Sequence, residues 1–228
     1  MAKGAITRKQ LLKEPDQFIT FSSRLIAFGQ SHSRPLMITA GCLLAAVLIL
    51  VTINQISNRN ENKASELVRQ AVAKYSAALQ DTDAKAAFER VKPDFSEIFD
   101  RFGSKDATKV ARISFGNMSY AAGDADTAIA MYQDALKDIG QTASLKNIVL
   151  NGLGYAYVLK ENYPEAIRYF EMLAEDDQKL MKDGALFNLA LLYGATGNTE
   201  RSKAYYEQLL AEFPAGMYKD LVKEKISG

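Results

Sequence analysis

The run Leu36–Ile53, LMITAGCLLAAVLILVTI, limits what this chain can fold into more than any other stretch. Its eighteen residues carry no charge, and the uncharged window extends from Pro35 to Asn58, between Arg34 and Arg59. At ~1.5 Å rise per residue, a helix of that length covers roughly 27 Å, close to the ~30 Å hydrocarbon core of a bilayer. Asn54, Gln55 and Ile56 can add a turn at the interface. A core helix in a soluble domain is apolar along one stripe, whereas this run is apolar on every face. It predicts a transmembrane helix over 35–57.

The run is too long and starts too late for a cleaved secretory signal, and Asn54–Asn58 offers no small-residue cleavage pattern. Thr39-Ala40-Gly41-Cys42 resembles the end of a bacterial lipobox, but most of the apolar run follows the Cys instead of preceding it. Cys42 reads more simply as a small residue facing lipid. Charge sets the expected topology. Of 28 basic and 27 acidic residues, the stretch before the run holds six basic (Lys3, Arg8, Lys9, Lys13, Arg24, Arg34) and two acidic (Glu14, Asp16). The positive-inside rule then places residues 1–34 in the cytoplasm and the domain after the run on the other side of the membrane. Close to the span the signal is weaker, because Arg59, Lys63 and Arg69 follow it.

The remaining residues suffice for one domain with a core. That domain is weakly acidic, unlike a nucleic-acid binder. Its lack of His and Cys removes ordinary zinc sites and Ser-His or Cys-His nucleophile systems. Neither a P-loop nor G-x-G-x-x-G, H-E-x-x-H or G-x-S-x-G is present. Glu175-Asp176-Asp177 reads as a solvated loop, and Asp94, Glu97 and Asp100 as an exposed helix face. Asp124-Ala125-Asp126 follows Gly123 in a turn, where Asp126 is placed to cap the next helix. We expect no catalytic residue, no metal site and no cofactor.

Ahead of the span, Phe18, Phe21, Leu25 and Phe28 recur at three- and four-residue spacing, flanked by Ile19 and Ile26, which predicts an amphipathic helix on the membrane surface. It either packs beside the span or docks a partner. Residues 1–15 read as a mobile basic tail, and Ser31–Pro35 as the turn into the bilayer. Beyond the span, Glu61–Leu79 predicts a helix with Leu67, Ala71, Tyr75, Ala78 and Leu79 on one face, broken at Asp81–Asp83. If it continues from the membrane helix it forms a stalk. Ala84–Val91 and Asp94–Phe102 make a pair, or one helix joined at Pro93, ended by Gly103.

From about 107 the sequence repeats. Gly116 returns as Gly154. Ala128 returns as Ala166 and Ser202, and Tyr132 as Phe170 and Tyr206. A fixed period of this size marks a helical array. The clearest copy is Leu153-Gly154-Tyr155-Ala156-Tyr157, with Tyr163, Ala166 and Phe170. The next has Leu189, Ala190, Tyr193, Gly197, Ser202, Tyr206 and Pro214. The first has Phe115, Gly116, Gly123, Ala128, Tyr132 and Ala135, with Ser119 where Tyr is usual. These copies resemble tetratricopeptide repeats, with Arg112, Leu150 and Leu186 in the usual Trp position. The expected fold is all-α: a single transmembrane helix, then a solenoid of stacked hairpins. Its segments are 58–106 (stalk and degenerate leading hairpin, 61–102) and 107–228 (three repeats and an end helix, Met217–Ile226, with Lys219, Lys223 and Lys225 outward). Small residues at Gly116, Gly154, Ala190, Ala128, Ala166 and Ser202 let paired helices approach, and Tyr132, Phe170 and Tyr206 fill the gaps between hairpins.

The resemblance implies a concave surface lined by the first helix of each hairpin. By position its residues are Val110, Ile113, Asn117 and Tyr120, then Ile148, Asn151, Tyr155 and Val158, then Phe187 and Leu191. The basic residues of the family's carboxylate-clamp type are missing from this row. The row suits extended or helical peptide segments, unless the helix 61–79 buries it. The whole layout resembles the YfgM-like ancillary subunits of the bacterial SecYEG translocon, which implies partners in the translocon and a membrane-anchored periplasmic chaperone of the prolyl-isomerase type. A scaffold for outer-membrane or cell-wall assembly is the alternative, and a cytoplasm-facing organiser would require reversed topology.

Overall fold

The computed structural model describes residues 17–138, 143–176 and 179–227; the tail 1–15 and Asp177 lie outside them. The described residues form ten α-helices and no strand. By contacts the chain divides into two compact units, Met1–Asn58 and Arg59–Gly228.

The first unit holds α1 (Gln17–Ser31) and the first part of α2 (Ser33–Ala78). The break between them is narrower than the turn expected at Ser31–Pro35, because only His32 falls outside the helices. Pro35 is tolerated at the third position of α2, where its missing N–H has no intrahelical acceptor in any case. The His32 amide still donates to the Phe28 carbonyl, 3.0 Å away, and its ring stacks on Phe28 at 4.5 Å. Among the described residues α2 is the one helix long and apolar enough to cross a membrane, and its apolar window is 0% buried by protein.

The second unit is an α-solenoid. Helix α2 runs unbroken to Ala78, so the expected stretch is one helix with the apolar run. Ala71, Tyr75 and Ala78 are buried, but Leu79 lies past the helix end and is 41% exposed. Helix α3 (Ala84–Phe102) is a single helix carrying Pro93 internally, capped by the Asp83 carboxylate, which accepts from Ala86 N–H at 2.8 Å. Gly103 ends it in a right-handed conformation, so its smallness serves close approach and not a left-handed turn. A Cβ there would lie 2.6 Å from the Phe99 carbonyl oxygen.

Helices α4 (Asp106–Ala121) with α5 (Ala125–Asp138), α6 (Ala143–Leu159) with α7 (Tyr163–Ala174), and α8 (Lys182–Ala195) with α9 (Thr199–Glu212) form the three repeat hairpins, and α10 (Lys219–Ser227) closes the array. One turn design joins each hairpin. A left-handed residue, Gly123 (φ 79°), Glu161 (φ 60°) or Gly197 (φ 83°), precedes Asp124, Asn162 or Asn198. Those three side chains accept from the amides of Thr127, Glu165 and Arg201, satisfying donors that a helix start leaves unpaired. The cap of α5 is thus Asp124, one residue before the helix. Asp126 lies inside the first turn and pairs instead with Lys160 of the next hairpin, at 2.6 Å.

Candidate functional site

The repeat-packing residues create the surface by setting how near the helices come. A Cβ on Gly116 would lie 2.8 Å from the Tyr132 ring, and one on Gly154 would lie 2.6 Å from the Phe170 ring. Tyr132 also meets Gly152 of the following hairpin, where a Cβ would sit at 2.6 Å. The Tyr132 ring is therefore wedged between the glycines of α4 and α6, and the Phe170 ring is seated on Gly154 of α6. Ala128, Ala166 and Ala190 are fully buried. In the third hairpin Ser202 Oγ donates to the Ala190 carbonyl at 2.7 Å, and Tyr206 is buried beside Phe187.

With the hairpins so spaced, the first helices α4, α6 and α8 bring most of the candidate row together. Tyr120 and Tyr155 lie with ring centroids 6.3 Å apart. Tyr155 also meets Phe170 edge-on at 5.3 Å, and its hydroxyl accepts from Asn188 Nδ2 at 2.9 Å. Asn117 is exposed, and its Oδ1 accepts from the Tyr132 hydroxyl at 2.6 Å. Burial, with a further contribution from Tyr120, pushes the Tyr132 phenol far up, so it remains a donor. Asn151, Val158, Ile148 and Phe187 are half-buried. Val110 and Leu191 are 53% and 41% exposed.

The C-terminal part of α2 does not cover this row. Its buried Ala71, Tyr75 and Ala78 belong to a separate cluster with Phe88, Phe95, Ala111, Phe115 and Met118, on another face of α4. Ile113 is the exception within the row, 7% exposed and part of the main core, so it is a packing residue. Two participants escaped the sequence reading. The repeat pattern marks Phe187 and not its neighbour Asn188. Tyr218 lies in the end segment expected to be solvated, yet its ring stacks on Phe187 at 4.5 Å. Val222 of α10 is fully buried as well, and Lys219 is half-buried while Lys223 and Lys225 are exposed.

A second set of tyrosines lies two positions further along α6 and α8, about 200° round each helix from the row at ~100° per residue. Tyr157 stacks on Tyr169 at 5.4 Å, and Tyr193 on Tyr205 at 5.6 Å. The previous hairpin binds each pair. Gln133 Nε2 donates to the Tyr157 hydroxyl at 3.1 Å, while the Tyr193 hydroxyl donates to Glu171 Oε1 at 2.8 Å. Burial, then the Glu171 charge, pushes the Tyr205 phenol up to about 12. These residues tie repeat to repeat.

Asp94 and Glu97, from the acidic face expected at 94–100, are engaged in ordinary surface pairs. Asp94 accepts from Lys74 at 2.7 Å, and Glu97 pairs with Arg101. Together with Leu67, Gln70, Ala71 and Ile98, Lys74, Asp94 and Glu97 line an open cleft of about 230 Å³. Among the described residues no cluster of His, Cys, Asp or Glu is placed to hold a metal ion.

Comparison with known proteins agrees with this geometry. A tetratricopeptide repeat family model matches residues 184–215, the third hairpin. No curated protein matches the chain. Among solved structures, a tetratricopeptide repeat protein from Parabacteroides merdae superposes with a TM-score of 0.55 at 13% identity, over 69% of this chain and 58% of that one. Pseudomonas aeruginosa pilF superposes with a TM-score of 0.48 at 17% identity, over 66% of this chain and 62% of that one. The chain thus spans less than two thirds of either protein. The fold is an all-α tetratricopeptide solenoid, an architecture that generally serves as a non-catalytic scaffold for protein partners.

Proposed function

We propose, starting from the tetratricopeptide fold, that this protein is a membrane-anchored, non-enzymatic adaptor whose concave row holds peptide segments of its partners. The observation that carries the reading is the chemistry of that row. Positions 110, 113, 117 and 120, then 148, 151, 155 and 158, then 184, 187, 191 and 194 include no charged residue, in a chain that is 24% charged. Such a row has no cation to grip a terminal carboxylate. It offers amides at Asn117 and Asn151 for a peptide backbone and apolar or aromatic faces at Val110, Tyr120, Tyr155, Val158 and Leu191 for side chains. With α2 as the anchor and the basic tail in the cytoplasm, the solenoid works in the periplasm beside the inner membrane. Its partners there are the SecYEG translocon and a membrane-anchored chaperone. The second reading, a scaffold for envelope assembly, uses the same row for different clients.

Crosslinking in intact membranes tests this. A photoreactive residue replaces Tyr155 in the row, and another replaces Leu44 in the apolar run. Translocon subunits at 44 with a chaperone or emerging polypeptide at 155 is the expected result. Envelope-assembly proteins at 155, with lipid alone at 44, would overturn it in favour of the scaffold. Protease added to cells with an intact outer membrane should leave the solenoid whole and should cleave it once that membrane is opened; protection until the inner membrane is broken would reverse the topology.

A further inference from the structure

We infer that α1 is a second membrane element, lying in the plane of the lipid surface with its phenylalanine stripe in the acyl boundary. The inference rests on the reading of α2 as a membrane anchor. Phe21, Leu25, Ile26 and Phe28 are 55–65% exposed, so no part of the described protein covers them. Between Gln17 and Ser31 the sole charged residue is Arg24, and such a helix is poorly suited to water on all sides. It cannot share the crossing made by α2. Residues 17–53 would measure ~55 Å as one helix, nearly twice the ~30 Å hydrocarbon core. Nor does it make a crossing of its own, because its fifteen residues reach only about 22 Å.

The polar segment Ser31-His32-Ser33-Arg34 separates the two apolar stretches and marks the level of the headgroups. The single break at His32 permits a change of direction there, and the Phe28–His32 stack ties the end of α1 to that point. Phe21, Leu25 and Phe28 follow one another at four and three residues and share a stripe, whereas Ser23 stands on the opposite side of the helix. Arg24 lies beside the stripe, where its long side chain reaches phosphates at the surface.

The test uses the full chain in vesicles of phosphatidylethanolamine and phosphatidylglycerol. Spin labels are placed one at a time at Phe21, Leu25, Ser23 and Leu44 in a Cys42→Ala background. Accessibility to oxygen is compared with accessibility to a water-soluble nickel chelate. The expected result is a several-fold higher oxygen-to-nickel ratio at 21 and 25 than at 23, with 44 deepest of all. Water exposure at 21 and 25 with 44 still deep would overturn the inference while leaving the anchor intact, and would make α1 a docking site for protein. Equal depth at 21, 23 and 25 would replace the in-plane helix with a buried one. A shallow 44 would remove the anchor and this inference with it.

Discussion

The leading hairpin (α2 beyond Arg59, with α3) and the three repeat hairpins solve the same packing problem with different chemistry. The leading pair is joined by five residues, 79–83, with no left-handed position, and its core is a cluster of plain hydrocarbon rings. Phe95 and Phe115 lie 4.7 Å apart, with Phe88 and Phe99 against Phe115 at 5.1 and 5.7 Å. Each repeat hairpin instead has a three-residue connection containing one left-handed residue; the first two set a glycine against an aromatic ring, and the second and third tie a tyrosine hydroxyl to the hairpin before. The first design leaves no signature because any large apolar residue serves. The second recurs because a Cβ or a missing hydroxyl would disturb both neighbours.

The join between the two designs is made by charged residues. The Glu61 carboxylate accepts from the amides of Asp106 and Ala107 at 3.1 and 2.7 Å, capping α4, whose own cap residue Lys105 makes no such bond. Arg112, in the usual Trp position, pairs with Asp138, donates to the Gly103 carbonyl at 3.0 Å and lies over Phe99. Ser119, in place of the usual Tyr, is buried and donates to its own helix at Phe115 O, 2.8 Å away. The absent tyrosine occurs where the neighbour is the leading hairpin, as does the one charged residue, Arg112, in a Trp position that holds Leu150 and Leu186 in the other copies.

The largest expected effect separates the two cores. Phe170→Ala should cost about 4 kcal/mol by unfolding of the full chain in detergent, and remove hydrogen-exchange protection from α5 through α8. Phe95→Ala should cost about 3 kcal/mol but leave protection from α6 onward. Equal loss across the array in both variants would erase the distinction. Next comes Asn147, fully buried with no hydrogen-bond partner among the described residues. Asn147→Leu should raise stability by about 2 kcal/mol, since an unpaired buried amide is replaced by a similar apolar volume. A lower midpoint would show the amide engaged. Glu161 holds the left-handed position that Gly123 and Gly197 hold in the other repeats, so Glu161→Gly should add about 1 kcal/mol. No gain would mean the Glu side chain offsets the strain.

The smallest effect is a pH dependence. Burial first, then Glu171 and Tyr193, raises the Tyr205 phenol from 10.0 to about 12. A raised value means the folded state keeps its proton while the unfolded chain loses it. The resulting stability is complete below pH 10 and declines toward pH 12. Tyr205→Phe should flatten that decline modestly in thermal melts, and an unchanged slope would assign it to other tyrosines.

Much of this was legible in the residues. The apolar run, the offset of Gly116 to Gly154 and the aromatic wedges carry strong local requirements, so the helices and their pairing followed. Errors fell where a tertiary partner decides. Asp124 and Asp126 are equally good caps by type, and only the left-handed Gly123 selects the first. Ile113 is indistinguishable from Val110 in sequence until α5 and α6 are packed beside it. Tyr218 gained its role from Phe187, thirty-one residues earlier, which no local pattern encodes.

The measurement closest to the central claim is peptide binding by the full chain in nanodiscs, compared with an Asn151→Lys/Leu191→Lys variant. Both substitutions place charge in the row without filling the core. The account predicts that uncharged aromatic or aliphatic peptides bind equally well with a free or an amidated C-terminus, and that the variant loses at least about tenfold in affinity, roughly 1.4 kcal/mol. Unchanged binding by the variant, or binding that requires the free carboxylate, would contradict it.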